Sequence, residues 1–381
     1  MKRLLCWILI FGVLGTALPL GAAAAEPEIP GKSALLMDIA TGRVLFEKNA
    51  HEALAPASVT KVMTMLLIME AIDSGKIRWE DTVTASDEAA AKGGSQIYLK
   101  VGETMTVSDM VKSIAVSSAN DCACAMAELI AGSESGFVEL MNSRAKELGM
   151  ENTHFVNCTG LDDGQEAKNH RTSAYDIALM SRQLLKYHPK ITDFTTIWMD
   201  TIRDGAFGLS NTNKLVRFYP GATGLKTGFT SGAGYCLSAS AQRDGLGLIA
   251  VVMGCETSPI RNEACKQLLD LGFANYAVVT PEITVDPMPI KLGKVSEITP
   301  VPEKLQEILV DKGKKSSVTS SVTLEENIAA PVEKGQVLGR VTVKAGEEVL
   351  AEMNLIAPED VPRLTWWELS LLVLRKCAMA K

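Results

Sequence analysis

A serine and a lysine three residues apart on a helix meet on one face, and a desolvated, neutral amine there can take the hydroxyl proton. The sequence holds this spacing twice, as Ser58-Val59-Thr60-Lys61 and as Ser143-Arg144-Ala145-Lys146. The second pair sits in a run whose charges suit a solvated helix face. The first opens Val59–Ile72, where Val62, Met63, Leu66, Leu67 and Met69 leave little polar face, with Pro56 ahead of it and Gly75 beyond. A lysine heading so apolar a helix is either a base kept from water or a side chain that snorkels past the helix end. The spacing alone does not separate the two.

Two further segments favour the base. Ser118-Ala119-Asn120 is the only Ser-x-Asn in the chain and lies in the joint between two apolar helical runs. Lys226-Thr227-Gly228 is the only Lys-Thr-Gly and occupies an apolar-flanked strand, Leu225–Phe229, where a charge is otherwise unfavourable. An ordered Ser-x-x-Lys, Ser-x-Asn-like and Lys-Thr-Gly trio marks penicillin-binding proteins and class A β-lactamases. With Asn157-x-x-Gly160-Leu161 and His170-x-Thr-Ser-Ala-Tyr175-Asp176, the chain from about Pro30 onward resembles the low-molecular-weight penicillin-binding D-alanyl-D-alanine carboxypeptidases.

The resemblance implies a role for each position. Ser58 would be the acylated nucleophile, Lys61 its general base, and Ser118 a hydroxyl passing a proton to the leaving amine. Asn120 would hold the substrate amide, and Lys226 with Thr227 would bind the terminal carboxylate of D-Ala-D-Ala. Lys226 would also keep Lys61 neutral by like-charge repulsion. Gly228 would clear a path for substrate along the strand, and the N–H groups of Ser58 and Phe229 would form the oxyanion hole. Partners would be a peptidoglycan pentapeptide ending in D-Ala-D-Ala and β-lactam antibiotics, with no metal or other cofactor. The implied fold is α/β (α+β), of the β-lactamase/penicillin-binding-protein transpeptidase type, with a helical subdomain and a small C-terminal β-rich domain.

Departures from the β-lactamase pattern point away from rapid antibiotic hydrolysis. Ala119 stands where class A enzymes carry Asp, and no Glu-x-x-Leu-Asn supplies a deacylating carboxylate. A D,D-endopeptidase or weak β-lactamase on the same scaffold is the alternative activity, and an idle wall-binding protein the alternative outside catalysis. No Gly-x-Ser-x-Gly is present, and His51, His154, His170 and His188 read as core or surface residues. His51-Glu52 lacks the second histidine of a zinc-protease helix. The cysteines outside the leader, Cys122, Cys124, Cys158, Cys236, Cys255, Cys265 and Cys377, are odd in number and mostly in apolar or small-residue segments, so they read as free structural thiols. Cys122-x-Cys124 with His154 or Cys158 matches no zinc spacing.

The elements that must position these groups follow from periodicity. Ser33–Lys48 reads as a hairpin, and helical patterns cover Thr106–Val116, Asp121–Ile130, Gly136–Leu148 and Ser173–Leu185. Three strands, Gly224–Phe229, Tyr235–Gln242 and Leu246–Gly254, precede a helix over Arg261–Tyr276. This order describes a sheet covered by helices, with a helical insert in mid-chain. Five of the 15 prolines fall between Pro281 and Pro302, marking a boundary. Beyond it, Ser317–Leu324, Gln336–Val343 and Glu348–Ile356 read as strands. The expected division is a catalytic domain over 26–280 and a β-rich domain over 281–362.

The ends read as targeting segments. Basic Lys2 and Arg3, the apolar stretch Leu4–Leu20 and Ala22–Ala25 form a secretory leader ending at residue 25, so the body is exported. In 363–381, Trp366, Trp367, Leu369 and Leu371–Leu374 accompany Arg363, Arg375, Lys376 and Lys381, with Glu368 the one acid. That apolar core is too short to span a bilayer, and it reads as an amphipathic anchor on the anionic outer face of the cytoplasmic membrane. The chain of 381 residues is 47% hydrophobic with net charge −7, so it builds a core and disfavours nucleic acid.

Overall fold

The computed structural model describes residues 28–379, so the expected leader lies outside the described residues. The chain begins with strands β1 (Ser33–Asp38) and β2 (Val44–Lys48) and enters helix α1 (Lys61–Asp73) through a short 3-10 turn, Ala57–Thr60. Helices α2 (Val107–Ser117), α3 (Asn120–Ala131), α4 (Glu134–Glu147) and α5 (Ala174–Tyr187) follow. The chain then returns to strands β3 (Ala222–Thr230), β4 (Gly234–Arg243) and β5 (Leu246–Cys255), and closes with α6 (Ser258–Asn275). All neighbours in the sheet, ordered β2-β1-β5-β4-β3, are antiparallel.

Alternation along the central strands explains why helices cover both faces. Ile249, Val251 and Met253 join the core containing α1 and α5, while Leu248, Ala250 and Val252 join Ala264, Leu268 and Leu269 of α6. A strand buried on both sides must be apolar at every position, as β5 is. Helix α1 is the hub of the larger core, and every residue from Lys61 to Met69 is buried. The helix starts follow side-chain caps: Thr106 accepts from Asp109 N–H at 3.1 Å, and Ser173 from Asp176 N–H at 3.1 Å. Two short strand pairs of the insert, Thr82–Thr84 with Thr104–Thr106 and Met199–Ile202 with Phe207–Ser210, lie outside the expected elements apart from Thr106. Strands of three or four residues show too little alternation to be read from sequence.

Beyond α6, Tyr276–Val279 pairs with Ile308–Asp311, reaching across position 280 into the β-rich part of the chain. Val301–Pro302, Glu348–Ile356, Val337–Ala345 and Val318–Leu324 form a four-stranded antiparallel sheet. The chain then enters helix α7 (Trp366–Met379), opened by a capping box in which Thr365 and Glu368 exchange hydrogen bonds. Among the described residues no helix is long and apolar enough to cross a membrane. Among the described residues, six cysteines are free and buried, and Cys377 is free and exposed.

Candidate active site

Ser58 sits in the tight turn that leads into α1. Ala57, just before it, is left-handed at φ +48°, a conformation that disfavours a side chain, and the serine is thereby set at the rim of the core. Lys61, one turn on, is fully buried and donates to Ser58 Oγ at 3.1 Å and to the Thr159 carbonyl at 2.8 Å. Burial pushes its ammonium down to about 7, partly opposed by Cys158 and Asp121. A neutral amine facing a hydroxyl in a dry site is the arrangement that base catalysis needs. Ser143, by contrast, is exposed on α4, in keeping with the solvated-face reading.

The strand β3 carries Lys226, also fully buried, with Nζ donating to the Thr227 carbonyl at 2.9 Å. Burial first, then the charges of Lys61 and Arg261, hold it well below the ordinary lysine value. Desolvation is thus the first cause of the low value at both lysines, and like-charge repulsion between them adds to it. Thr227 donates its hydroxyl to Thr212 Oγ1 at 2.7 Å.

Gly228 meets the nucleophile turn itself. A Cβ there would lie 2.7 Å from the Pro56 carbonyl oxygen and 3.0 Å from the backbone nitrogens of Ser58 and Val59. The missing side chain admits the nucleophile turn against the strand. Phe229 follows, 53% exposed, its ring stacked on Tyr235 at 4.2 Å.

The second segment lies at the α2–α3 corner. Ser118 caps α2 in the left-handed region at φ +64°, and Asn120 begins α3. Asn120 Nδ2 donates to the Gly93 carbonyl at 2.7 Å, while Ser118 Oγ and Asn120 Oδ1 are buried without a protein partner. Two such orphaned atoms in one motif leave hydrogen-bonding capacity for another molecule. No hydrogen bond joins Ser118 or Asn120 to Ser58 or Lys61 among the described residues. Next to Asn120, the buried Asp121 carboxylate accepts from the backbone N–H groups of Ile97 and Leu99 at 3.1 and 3.0 Å, tying that loop to the corner.

Three contributions had no role assigned from the sequence, although Asn157-x-x-Gly160-Leu161 and His170 stood in motifs that carried the resemblance. Residues 157–160 underlie the nucleophile turn: Thr64 donates to the Cys158 carbonyl at 2.6 Å, and Asn157 Oδ1 accepts from Gly160 N–H at 2.6 Å. His170, buried, stands 2.8 Å from Thr60 Oγ1 on the same turn. Arg261, only 4% exposed, hydrogen-bonds Ser258 and Asn262, and among the described residues no carboxylate pairs with it. The other histidines are remote from this chemistry, with His51 and His154 exposed and His188 paired with Asp73. Cys124 lies near Glu88 and Glu134, with ligand atoms within 4.8 Å of one another, and Lys92 pairs with both carboxylates.

Known proteins share this arrangement of elements. A family described as D-alanyl-D-alanine carboxypeptidase matches residues 21–257, and one described as penicillin-binding protein 5, C-terminal domain, matches 278–363. D-alanyl-D-alanine carboxypeptidase DacF of Bacillus subtilis is 46% identical over 376 residues, covering 95% of each chain. The crystal structure of penicillin-binding protein 5 from Haemophilus influenzae aligns with TM-score 0.74 at 32% identity, over 88% of this chain and 99% of that one. Penicillin-binding protein D2 of Listeria monocytogenes, solved in an ampicillin-bound form, aligns with TM-score 0.59 at 31% identity, over 65% and 98%. The chain belongs to the D-alanyl-D-alanine carboxypeptidase family, the low-molecular-weight penicillin-binding serine peptidases.

Proposed function

We propose that this chain is a serine D-Ala-D-Ala carboxypeptidase of the cell envelope that removes the terminal D-alanine from peptidoglycan pentapeptides, with Ser58 as its nucleophile. The observation that carries the assignment of roles is the buried Lys61 amine, brought down to about 7 by desolvation and hydrogen-bonded to Ser58 Oγ. Ser58 Oγ attacks the carbonyl of the penultimate D-alanine while Lys61 takes its proton. The oxyanion accepts from the N–H groups of Ser58 and Phe229. Ser118 delivers a proton to the departing D-alanine amine, and Asn120 holds the substrate amide. Water then releases the shortened peptide from Ser58.

The terminal carboxylate lies against Lys226 and the Thr227 hydroxyl, with Arg261 as a further cation behind them. Lys226 is costly to charge in the empty site, and an arriving carboxylate returns its proton affinity. The recharged Lys226 then opposes protonation of Lys61, so binding at one end of the site helps to keep the base free at the other. A β-lactam acylates Ser58 in the same way, but its amine stays tethered through the opened ring.

The chain divides, in this reading, into a leader over 1–25, a catalytic unit over 26–280, a β-rich domain over 281–362 and an anchoring tail over 363–381. Strand Tyr276–Val279 links the middle two. Trp366 and Trp367, 86% and 74% exposed on α7, support a tail that lies on the anionic outer face of the cytoplasmic membrane.

Penicillin labelling followed by peptide mass mapping tests the assignment. One acyl group is expected on Ser58. Ser58→Ala is expected to abolish both labelling and release of D-alanine, and Ser143→Ala to change neither. Labelling that survives Ser58→Ala would overturn it.

A further inference from the structure

The conformation at Ala57 needs a cause outside the turn itself. A non-glycine residue in a sparsely populated backbone region costs about 1–3 kcal/mol and persists only where its surroundings over-determine it. Two contacts do so here. A Cβ on Gly160 would lie 1.9 Å from the Ala57 carbonyl oxygen, so only glycine lets the underlying loop press against it. Beside it, the Thr60 hydroxyl donates to that same oxygen at 2.8 Å.

The Thr60 hydroxyl is oriented in its turn. Its proton goes to Ala57, so it can only accept from His170 Nε2, 2.8 Å away. Nε2 must then carry the ring proton. At the opposite edge of the ring, Nδ1 accepts from Val156 N–H at 3.2 Å, which requires the same tautomer. The two ends agree independently, and together they define one directed chain: Val156 N–H to Nδ1, Nε2–H to Thr60 Oγ1, and Thr60 O–H to the Ala57 carbonyl. Ala57, Thr60 and His170 are each at most 3% exposed, so the chain is shielded from solvent. The neutral imidazole it requires is favoured by burial, which lowers the His170 value to about 4.

We propose that the His170–Thr60 pair is a positioning device for acylation, holding the Ala57 carbonyl inward so that the Ser58 N–H points outward as an oxyanion donor. The link is the planarity of the trans peptide, in which C=O and N–H lie on opposite sides of the bond. Pinning the Ala57 oxygen on the core side fixes the direction of the Ser58 N–H. That N–H lies on the face met by Gly228, whose absent Cβ would come within 3.0 Å of it. Neither His170 nor Thr60 hydrogen-bonds Ser58 Oγ or Lys61 Nζ, so the pair acts through the backbone and not on the reacting atoms. The inference rests on Ser58 being the nucleophile.

The test measures acylation by benzylpenicillin under pre-steady-state conditions, separating the dissociation constant of the first complex from the acylation rate constant and counting only sites that label at saturation. Losing the aim of one oxyanion donor is expected to lower the rate constant by about tenfold or more, with binding changed less than about twofold. Thr60→Val, which replaces one oxygen with a methyl, should show this loss, and Thr60→Ser should restore the rate to within about threefold. His170→Leu should match Thr60→Val, the double variant should be no slower than either single one, and His170→Gln, with a donor and an acceptor on one amide, should be faster than His170→Leu. Should His170→Leu not fold, the threonine pair carries the test alone.

Wild-type rates in Thr60→Val, or equal losses in the valine and serine variants, would overturn the proposal. Multiplying losses in the double variant would overturn it as well. Wild-type label on a serine other than Ser58 is a separate outcome that removes the assignment of the nucleophile instead.

Discussion

Lys61 should be visible in the stability of the fold as well as in the rate. A lysine in the unfolded chain takes up a proton as pH falls through about 10.5, whereas Lys61 in the folded chain waits until about 7. Over that window the unfolded state binds more protons, so stability is lost as pH drops from about 10.5 to 7 and levels off below it. At 1.36 kcal/mol per unit the full loss is about 5 kcal/mol, of which about 2 kcal/mol falls between pH 9 and pH 7. Lys61→Met removes the titration. Its lost hydrogen bonds to Ser58 and Thr159 add an offset that does not depend on pH in this range. Urea unfolding of wild type and variant at pH 7, 8 and 9 should therefore show the wild type gaining about 2 kcal/mol more than the variant as pH rises, with groups remote from Lys61 cancelling in the difference. The same value governs the rate: about one site in eleven holds a neutral lysine at pH 6 and about ten in eleven at pH 8, so acylation per site should rise about tenfold. Parallel stability curves for the two proteins would refute the reasoning, whatever the rate profile shows.

Three other outcomes follow from the geometry. Lys226→Ala should lower kcat/KM at least about tenfold on a peptide acid, and wild type should already cleave the C-terminal amide poorly; equal cleavage of acid and amide by wild type would remove the carboxylate anchor. Gly160→Ala forces a Cβ into the Ala57 carbonyl at a positive φ, and should destabilise the fold by at least about 2 kcal/mol in urea melts; a change below about 0.5 kcal/mol would show the turn to be compliant. Deleting residues 363–381 should leave D-alanine release intact and abolish cosedimentation with anionic vesicles; equal binding with and without the tail would refute the anchor.

The sequence carried what is local. Ser58 and Lys61 are three residues apart on a run too apolar to be anything but a buried helix, and β5 is apolar at successive positions because both of its faces are covered. The contacts that refine the site join distant parts of the chain. The Thr159 carbonyl lies 98 residues from Lys61, and His170 lies 110 from Thr60. No periodicity reports which backbone a glycine faces, so the packing of Gly228 against Pro56, Ser58 and Val59 was not foreseen. The depth of burial at Lys61 was likewise not legible, because it follows from packing among elements spread over the insert. Arg261 stood at an expected helix start with no sign of burial in its sequence context, and only the folded arrangement of β4, β5 and α6 encloses it.

The six buried thiols are conformationally protected against oxidation. Burial raises all six, so in the folded protein they stay protonated, and it is the thiolate that is alkylated or oxidised. An unfolded chain in an oxidising compartment has no such shelter, and every cysteine is then a candidate for a wrong disulfide. Folding must therefore outrun thiol exchange, and a mutation that slows it would reduce yield without touching the site. The same arrangement supplies a gauge of local opening. Cys122, Cys124 and Cys158 report on the helical half, while Cys236, Cys255 and Cys265 report on the sheet and α6. Timed alkylation read by mass thus shows which half of the enzyme opens first.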